Sequence, residues 1–121
     1  MILRGLPPIV DARARVLILG SFPSAASLAA GQYYAHRQNQ FWNILGTILE
    51  KPLFESDYAD RRQAVLEAGI AIWDVYASCE REGSLDSAIR NGQPNDFAEL
   101  KKSALALRCV CFNGQAAGRF A

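Results

Sequence analysis

The side chains best suited to chemistry are concentrated between Gly20 and Trp42 of this 121-residue chain. The stretch begins where an apolar run, Val16 to Leu19, stops at a glycine, and it ends where an amphipathic helix is predicted. It contains adjacent tyrosines, the only histidine of the chain, an arginine, glutamines and an asparagine. Because loops held on a rigid scaffold commonly carry binding and catalytic groups, we expect the functional site here.

The residue types near this stretch suit a neutral, planar ligand. Carboxylates are few there, whereas aromatic side chains are plentiful. The aromatic residues are Phe22, Tyr33, Tyr34, Phe41, Trp42, Trp73 and Tyr76. Aromatic faces stack on flat rings, and amide side chains pair with donor and acceptor edges. A nucleobase is a ligand of this kind.

Familiar catalytic and cofactor motifs are absent. The serines of the GSFPS segment, residues 20–24, fall at the wrong offsets for the nucleophile elbow of serine hydrolases. His36 could act as a base for Ser21, but this is the weaker interpretation. The chain has no glycine-rich nucleotide-binding loop. We therefore expect no cofactor.

The cysteines do not indicate a disulfide framework or a metal site. Their number, three, is odd. Cys109 and Cys111 alternate within an apolar run, so they share one face of the predicted strand, and we expect both to be buried in a reducing compartment. Cys79 does not complete a set of metal ligands with them, so we expect no metal.

Length and composition favour one folded domain. A chain of 121 residues is typical of a single domain, and a hydrophobic content of 50% argues against disorder. The net charge of +1 provides no global basic field, so a nucleic-acid partner would need a local cationic patch. The proline-interrupted N-terminal residues do not resemble a signal peptide or a membrane span, so we expect a cytoplasmic location and no membrane partner.

Apolar periodicity predicts strands that alternate with helices. The strands are predicted at Val16–Leu19, Ile70–Tyr76 and Cys109–Phe112, and the helices from Phe41, over Asp57–Ala68, from Asn95 and from Gln115. Asn39 and Asn95 are predicted as N-caps, and Gly69 as the residue that ends the second helix. Residues 77–83 are predicted as a loop, and residues 84–90 as one or two helical turns.

This alternation predicts a three-layer α/β/α sandwich with a short, three-stranded parallel central sheet. In such sheets ligands bind beyond the carboxyl ends of the strands. Those ends are Gly20–Pro23, Asp74–Ser78 and Asn113–Gly114, which the fold should gather on one edge. The segment Tyr33–Trp42 should lie over that edge.

Five sequence blocks together resemble a known family. They are GSFP (20–23), YYAHRQNQFW (33–42), WDV (73–75), SCEREGSLD (78–86) and FNG (112–114). In order and spacing, residues 5–120 resemble the uracil-DNA glycosylase superfamily, and they are most similar to its hypoxanthine-DNA (deoxyinosine) glycosylase branch. GSFP alone is a weak signal, whereas the HxxNxFW and CxREGSLD blocks together are fairly specific.

The resemblance implies an enzyme that flips a damaged nucleotide out of the duplex and cleaves its N-glycosidic bond. The catalytic asparagine of the HxxNxFW block corresponds to Asn39, whose amide would orient the attacking water or hydrogen-bond the leaving base. A plain N-cap is the alternative for the same residue. No lysine lies in the motifs, so the resemblance implies a monofunctional enzyme that leaves an abasic site.

The candidate site residues follow from the resemblance and from the strand ends. The base-pocket candidates are Gly20, Ser21, Phe22, Tyr33, Tyr34, Asp74 and Asn113. The candidates for DNA contact are His36, Arg37, Gln38 and Arg81. Phe22 is the candidate stacking partner of the base, with a core phenylalanine as the alternative. Core packing of one tyrosine and a solvated loop at residues 36–38 also remain open.

The expected partner is double-stranded DNA that contains a deaminated base, bound by a monomer. Relatives continue past the FNG block with a fourth strand and a DNA-contacting loop, so we expect residues 1–121 to form one C-terminally incomplete glycosylase-like domain. Two alternatives remain open. One is a mismatch-specific uracil-DNA glycosylase, and the other is a truncated relative that binds nucleic acid without catalysis.

Overall fold

The computed structural model describes residues 1–119, which form two small sheets and their helices. The strands are β1 (Leu3–Arg4), β2 (Val16–Gly20), β3 (Ile70–Asp74), β4 (Tyr76–Glu80), β5 (Arg90–Pro94) and β6 (Cys109–Phe112). The α-helices are α1 (Ala25–Ala30), α2 (Phe41–Leu49), α3 (Tyr58–Glu67), α4 (Phe97–Ser103) and α5 (Gln115–Gly118), and one 3-10 turn covers Asp86–Ala88. The two C-terminal residues of the predicted last helix lie outside the described residues.

The predicted parallel sheet is confirmed, with strand order β3-β2-β6. The central strand β2 is the apolar run that leads into the GSFP block. It is hydrogen-bonded to β3 on one side and to β6 on the other. Side chains alternate across it, since Leu17 and Leu19 pack with α4 and α5 residues, whereas Ile18 packs with the α2 and α3 cluster. Helices therefore cover both faces, which gives the expected α/β/α layers.

A second sheet, which is antiparallel with order β1-β4-β5, was not predicted. The prediction of a loop over residues 77–83 is wrong, because Tyr76–Glu80 is a strand whose Cys79 pairs with Leu3. The predicted helical turns over residues 84–90 reduce to a single 3-10 turn, and β5 follows it. β1 has two residues and pairs with a strand that is distant in sequence, and β5 is polar, so hydrophobic periodicity does not reveal this sheet.

Helix capping follows the prediction only in part. Gly69 follows α3, the second of the predicted helices, and ends it with φ of +75°, as predicted. The prediction of Asn95 as an N-cap is wrong: Asp96 occupies that position and accepts a hydrogen bond from Glu99 N at 3.0 Å. The side-chain amide of Asn95 instead donates to the backbone oxygen of Asp74 at 2.8 Å.

The predicted burial of Cys109 and Cys111 is wrong, since both are exposed. They lie on β6, which is an edge strand of the parallel sheet. Grooves of about 600 Å³ and 450 Å³ flank this strand, one beside α2 and the other beside α4. Cys79, on the central strand of the second sheet, is buried. Burial of a cysteine therefore depends here on which strand has neighbours on both sides.

Within residues 1–119, no helix is long and apolar enough to cross a bilayer. The same residues contain no group of three or more His, Cys, Asp and Glu side chains arranged to hold a metal ion.

The helix caps provide a stability prediction with an internal control. Asp96→Ala should lower the free energy of unfolding by about 1 kcal/mol, because it removes the acceptor for the Glu99 amide. Asp57→Ala at the start of α3 should cost less, because the Asp57 side chain makes no capping hydrogen bond. Urea unfolding of both variants measures the difference, and equal losses would contradict the assignment.

Candidate active site

A cleft of about 200 Å³ lies at the carboxyl ends of the parallel strands. The catalytic candidate and all the base-pocket candidates line it: Gly20, Ser21, Phe22, Tyr33, Tyr34, Asn39, Asp74 and Asn113. Residues at its wall that were not predicted as pocket residues are Pro23, Ser24, Ser27, Ser84 and Asp86. The structure thus brings together side chains from distant parts of the chain, and the roles predicted for them remain proposals.

Strand register explains this convergence. Gly20 at the end of β2 is the register partner of Asp74 at the end of β3. Asn113 directly follows β6, and its backbone amide donates to Leu19 O at 2.7 Å. Because the parallel strands end at the same level, their terminal side chains meet at a single edge.

Gly20 is required by the close approach of two polar groups. A Cβ atom at this position would lie 2.6 Å from Asp74 Oδ1 and 3.1 Å from the Tyr34 hydroxyl. The first distance is shorter than any tolerable contact, so a larger residue would displace the carboxyl. The absent side chain lets the carboxyl and the phenol lie directly over the backbone of β2.

Asp74 is a carboxyl in an environment that disfavours its charged form. The residue is 5% exposed, and its Oδ2 is enclosed without a hydrogen-bond partner among residues 1–119. Burial raises the pKa of Asp74 to about 7, with a further increase from the Asp86 carboxylate and an opposing effect from the Arg81 guanidinium. Near neutral pH this carboxyl is therefore a mixture of the acid and its anion.

Residues 81–86 hold the GSFP loop in place. Ser21 Oγ donates to Asp86 Oδ1 at 2.6 Å, and the Ala25 amide donates to Ser84 Oγ at 2.8 Å. These contacts explain why Ser84 and Asp86 reach the cleft. The sequence signal that could have identified them is the CxREGSLD block itself, whose last four residues include both.

Arg81 lies over the ring of Phe22. Its guanidinium carbon is 5.2 Å from the ring centroid, while its Nη2 donates to Pro23 O at 2.6 Å and its Nε to Gly83 O at 2.8 Å. The same side chain therefore holds both the backbone and the ring of the GSFP loop. Its predicted DNA contact is untested and remains a prediction.

The two tyrosines have different surroundings. Tyr34 adopts a left-handed backbone conformation with φ of +54°. Its ring stacks on the Phe41 ring, with 3.8 Å between the ring centroids, and its hydroxyl accepts a hydrogen bond from Asn113 Nδ2 at 3.1 Å. The Tyr33 hydroxyl donates to the backbone oxygens of Leu6 and Pro7 at 3.1 Å and 2.9 Å. Burial raises the pKa of both phenols, so both are neutral near pH 7.

Asn39 is exposed and lines the cleft just before α2. Its Oδ1 accepts from the Phe41 amide at 2.8 Å, so it satisfies a first-turn amide although Gln40 holds the cap position. Its Nδ2 has no hydrogen-bond partner in the described part of the chain. The amide is thus oriented by its oxygen, and its N–H groups remain available to a ligand.

The other predicted DNA-contact residues lie on the adjoining loop. His36, Arg37 and Gln38 are exposed, and the backbone amide of Gln38 donates to His36 Nδ1 at 3.1 Å. They precede Asn39 directly, so a duplex lying over the cleft would meet them. Whether they contact phosphate remains a prediction.

Comparison with known proteins identifies the family. The model of the uracil DNA glycosylase superfamily matches residues 7–121. The solution NMR structure of a protein described as a candidate uracil DNA glycosylase from Methanosarcina acetivorans is similar, with a TM-score of 0.89 and 39% identity, over 99% of this chain and 74% of that one. DNA glycosylases are thus the class of protein that the fold and the comparisons define. The chain belongs to the uracil DNA glycosylase superfamily.

Two curated relatives are described as hypoxanthine DNA glycosylases. The protein from Methanosarcina barkeri is 38% identical over 117 residues, which is 97% of this chain and 74% of the relative. A protein from Methanosarcina acetivorans is 39% identical over 120 residues, which is 99% of this chain and 76% of the relative. The resemblance stated from the sequence blocks is therefore confirmed at the level of the family.

The raised pKa of Asp74 predicts a characteristic dependence of stability on pH. The folded state binds this proton more tightly than the unfolded state, so the free energy of unfolding should fall between about pH 4 and pH 7, by about 1.4 kcal/mol for each unit of pKa shift. Asp74→Asn should remove this decline and melt at a higher temperature than the parent at pH 8. Glu55→Gln, at an exposed carboxylate, is the control, and parallel curves for Asp74→Asn and the parent would contradict the prediction.

Proposed function

We propose that this protein hydrolyses the N-glycosidic bond of hypoxanthine in double-stranded DNA, as a monofunctional enzyme of base-excision repair. The observation that carries the proposal is the cleft that joins the Phe22 ring, the Asp74 carboxyl and the Asn39 amide at one edge of the sheet. The curated relatives described above support hypoxanthine as the base. The NMR neighbour supports uracil as the second candidate.

The size of the cleft suits a base rather than a larger ligand. Small-molecule pockets measure roughly 300–1,000 Å³, so a cleft of about 200 Å³ can accept one flat ring system but not a whole nucleotide. Enzymes that act on a base must first extrude it from the duplex. In this proposal the sugar and phosphates remain outside, near the loop at residues 36–38.

Phe22 supplies a flat surface for the extruded base. Its side chain is buried and lines the cleft, and the Arg81 guanidinium lies against the ring. A ring fixed in this way loses little conformational entropy when a base stacks on it. On either side of Phe22, the Ser21 carbonyl accepts from the Tyr76 backbone amide at 3.1 Å and the Pro23 carbonyl accepts from Arg81 Nη2 at 2.6 Å, so the loop is held in one position before the base arrives.

Asn39 has the hydrogen-bonding geometry of a donor to the leaving base. As the bond between C1′ and the base nitrogen breaks, negative charge grows on the base, and an oriented N–H group lowers the barrier. The Asn39 oxygen is held by the Phe41 amide, so the N–H groups are directed without a further loss of freedom. The structure therefore favours hydrogen bonding to the base over orientation of water by the same amide.

The residues that line the cleft include no lysine. An amine nucleophile would be needed to form a Schiff base with the opened sugar and to cleave the strand. We therefore propose that the reaction stops at an abasic site after hydrolysis.

Base preference tests the proposed function. Duplexes with a single hypoxanthine or a single uracil are incubated with the protein and then heated in alkali, which breaks the strand at abasic sites. We expect breaks at hypoxanthine that require the alkali. Cleavage only at uracil would support the second candidate, and binding without any cleavage would support a non-catalytic relative.

Asn39 variants separate catalysis from helix capping. Asn39→Asp retains an acceptor for the Phe41 amide but loses the N–H donors, so it should fold normally and lose about 100- to 1,000-fold in single-turnover rate. Gln63→Ala, at an exposed amide on α3, should cleave at the parent rate. A near-normal rate for a folded Asn39→Asp would remove Asn39 from the mechanism.

A further inference from the structure

We propose that Asp74 is a general acid that donates its carboxyl proton to the departing purine. This inference rests on the proposed function, and it assigns to the cleft a second catalytic residue beside Asn39. The two residues lie at different elements of the fold, since Asn39 precedes α2 and Asp74 ends β3. They line the same cleft of about 200 Å³.

The position of Asp74 is fixed by the parallel sheet. The residue is held in register opposite Gly20, and its backbone oxygen accepts from the side-chain amide of Asn95 at 2.8 Å. Oδ1 lies over Gly20, where even a methyl group would clash. A proton on this carboxyl is therefore presented from a rigid strand end rather than from a mobile loop.

The environment of Asp74 provides no strong partner for an anion. In the part of the chain that the structure describes, no Lys, Arg or His forms an ion pair with it, and Oδ2 is enclosed and unpartnered. Burying an isolated carboxylate costs far more free energy than burying the neutral acid. The buried Asp74 carboxyl therefore holds a proton that it can transfer to the purine as the glycosidic bond breaks.

The charged and titratable neighbours act in opposite directions. The Asp86 carboxylate, on the 3-10 turn, favours the neutral acid, and the Arg81 guanidinium, after β4, favours the anion. The phenols of Tyr33 and Tyr34 are neutral near pH 7 because burial raises the pKa of each. The resulting pKa of Asp74, about 7, is close to the optimum for a general acid at neutral pH.

Asp86 itself is a poorer candidate for this role. It is exposed, and its Oδ1 already accepts the Ser21 hydroxyl at 2.6 Å. This side chain serves the GSFP loop as a hydrogen-bond acceptor. The two carboxyls therefore have separate tasks, one as an acid and one as a structural acceptor.

The proposed step is balanced without a co-reactant. The bond between C1′ and N9 breaks with its electron pair moving into the purine, N7 takes the Asp74 proton, and hypoxanthine departs as a neutral molecule. Water adds to C1′ and releases a proton to solvent, and the Asp74 carboxylate is protonated again from solvent. Uracil has no ring nitrogen equivalent to N7, so this acid assists a purine selectively.

Single-turnover cleavage of hypoxanthine duplexes from pH 5 to pH 9 tests the proposal. The parent rate should fall about tenfold for each pH unit above pH 7, because the neutral acid is lost. Asp74→Asn should be about 100- to 10,000-fold slower at pH 6 and should show no such decline. Glu55→Gln is the matched carboxylate control on an exposed loop, and it should reproduce the parent profile.

A modified base provides a second, independent readout. In 7-deazahypoxanthine a carbon replaces N7, so the base cannot accept the proton there. The parent should cleave this substrate as slowly as Asp74→Asn cleaves hypoxanthine, and Asp74→Asn should cleave both bases at similar rates. A purely structural effect of Asp74→Asn would slow both substrates by the same factor, which would overturn the inference.

The outcomes distinguish this inference from the proposed function. If the parent cleaves no hypoxanthine duplex at any pH, the proposed function fails. If the parent cleaves hypoxanthine, and folded Asp74→Asn retains both its rate and the decline above pH 7, the proposed function stands and the general acid does not. Thermal melting at each pH establishes that the variants are folded.

Discussion

The structure of the cleft depends on one register constraint, the pairing of Gly20 with Asp74 at the ends of two parallel strands. This pairing places a carboxyl oxygen over a position where a Cβ atom cannot fit. The Tyr34 hydroxyl approaches the same glycine and accepts from Asn113. A shift of either strand by one residue would turn its terminal side chain to the opposite face of the sheet, so the cleft exists only in this register.

The cleft contains features that a stability optimum would exclude. A buried carboxyl lacks a partner for one oxygen, an enclosed Arg81 nitrogen lacks an acceptor within residues 1–119, and Tyr34 has a left-handed backbone. Such departures from local preference are concentrated at functional sites and are compensated elsewhere. Here the compensation comes from the two hydrophobic clusters on the faces of the parallel sheet.

The parallel sheet and the location of the site could be predicted, because each depends on local sequence. A continuous apolar run indicates a strand buried on both faces, and polar residues just beyond such runs meet at one edge. The antiparallel sheet could not, since Leu3 and Cys79 pair across most of the chain. The choice of Asp96 over Asn95 as a cap could not be predicted either, because Asn95 is drawn to the backbone of Asp74 by tertiary structure. The contribution of Arg81 depends on the Phe22 ring and the Pro23 carbonyl, which only the fold brings to it.

The uneven burial of the three cysteines has a practical consequence. Cys109 and Cys111 are accessible on the edge strand, whereas Cys79 is enclosed in the second sheet. A thiol-alkylating reagent applied to the native protein should therefore label two sites, and the remaining one becomes reactive only when the antiparallel sheet opens. The mass of the alkylated chain thus reports directly on the integrity of the sheet that supports the GSFP loop.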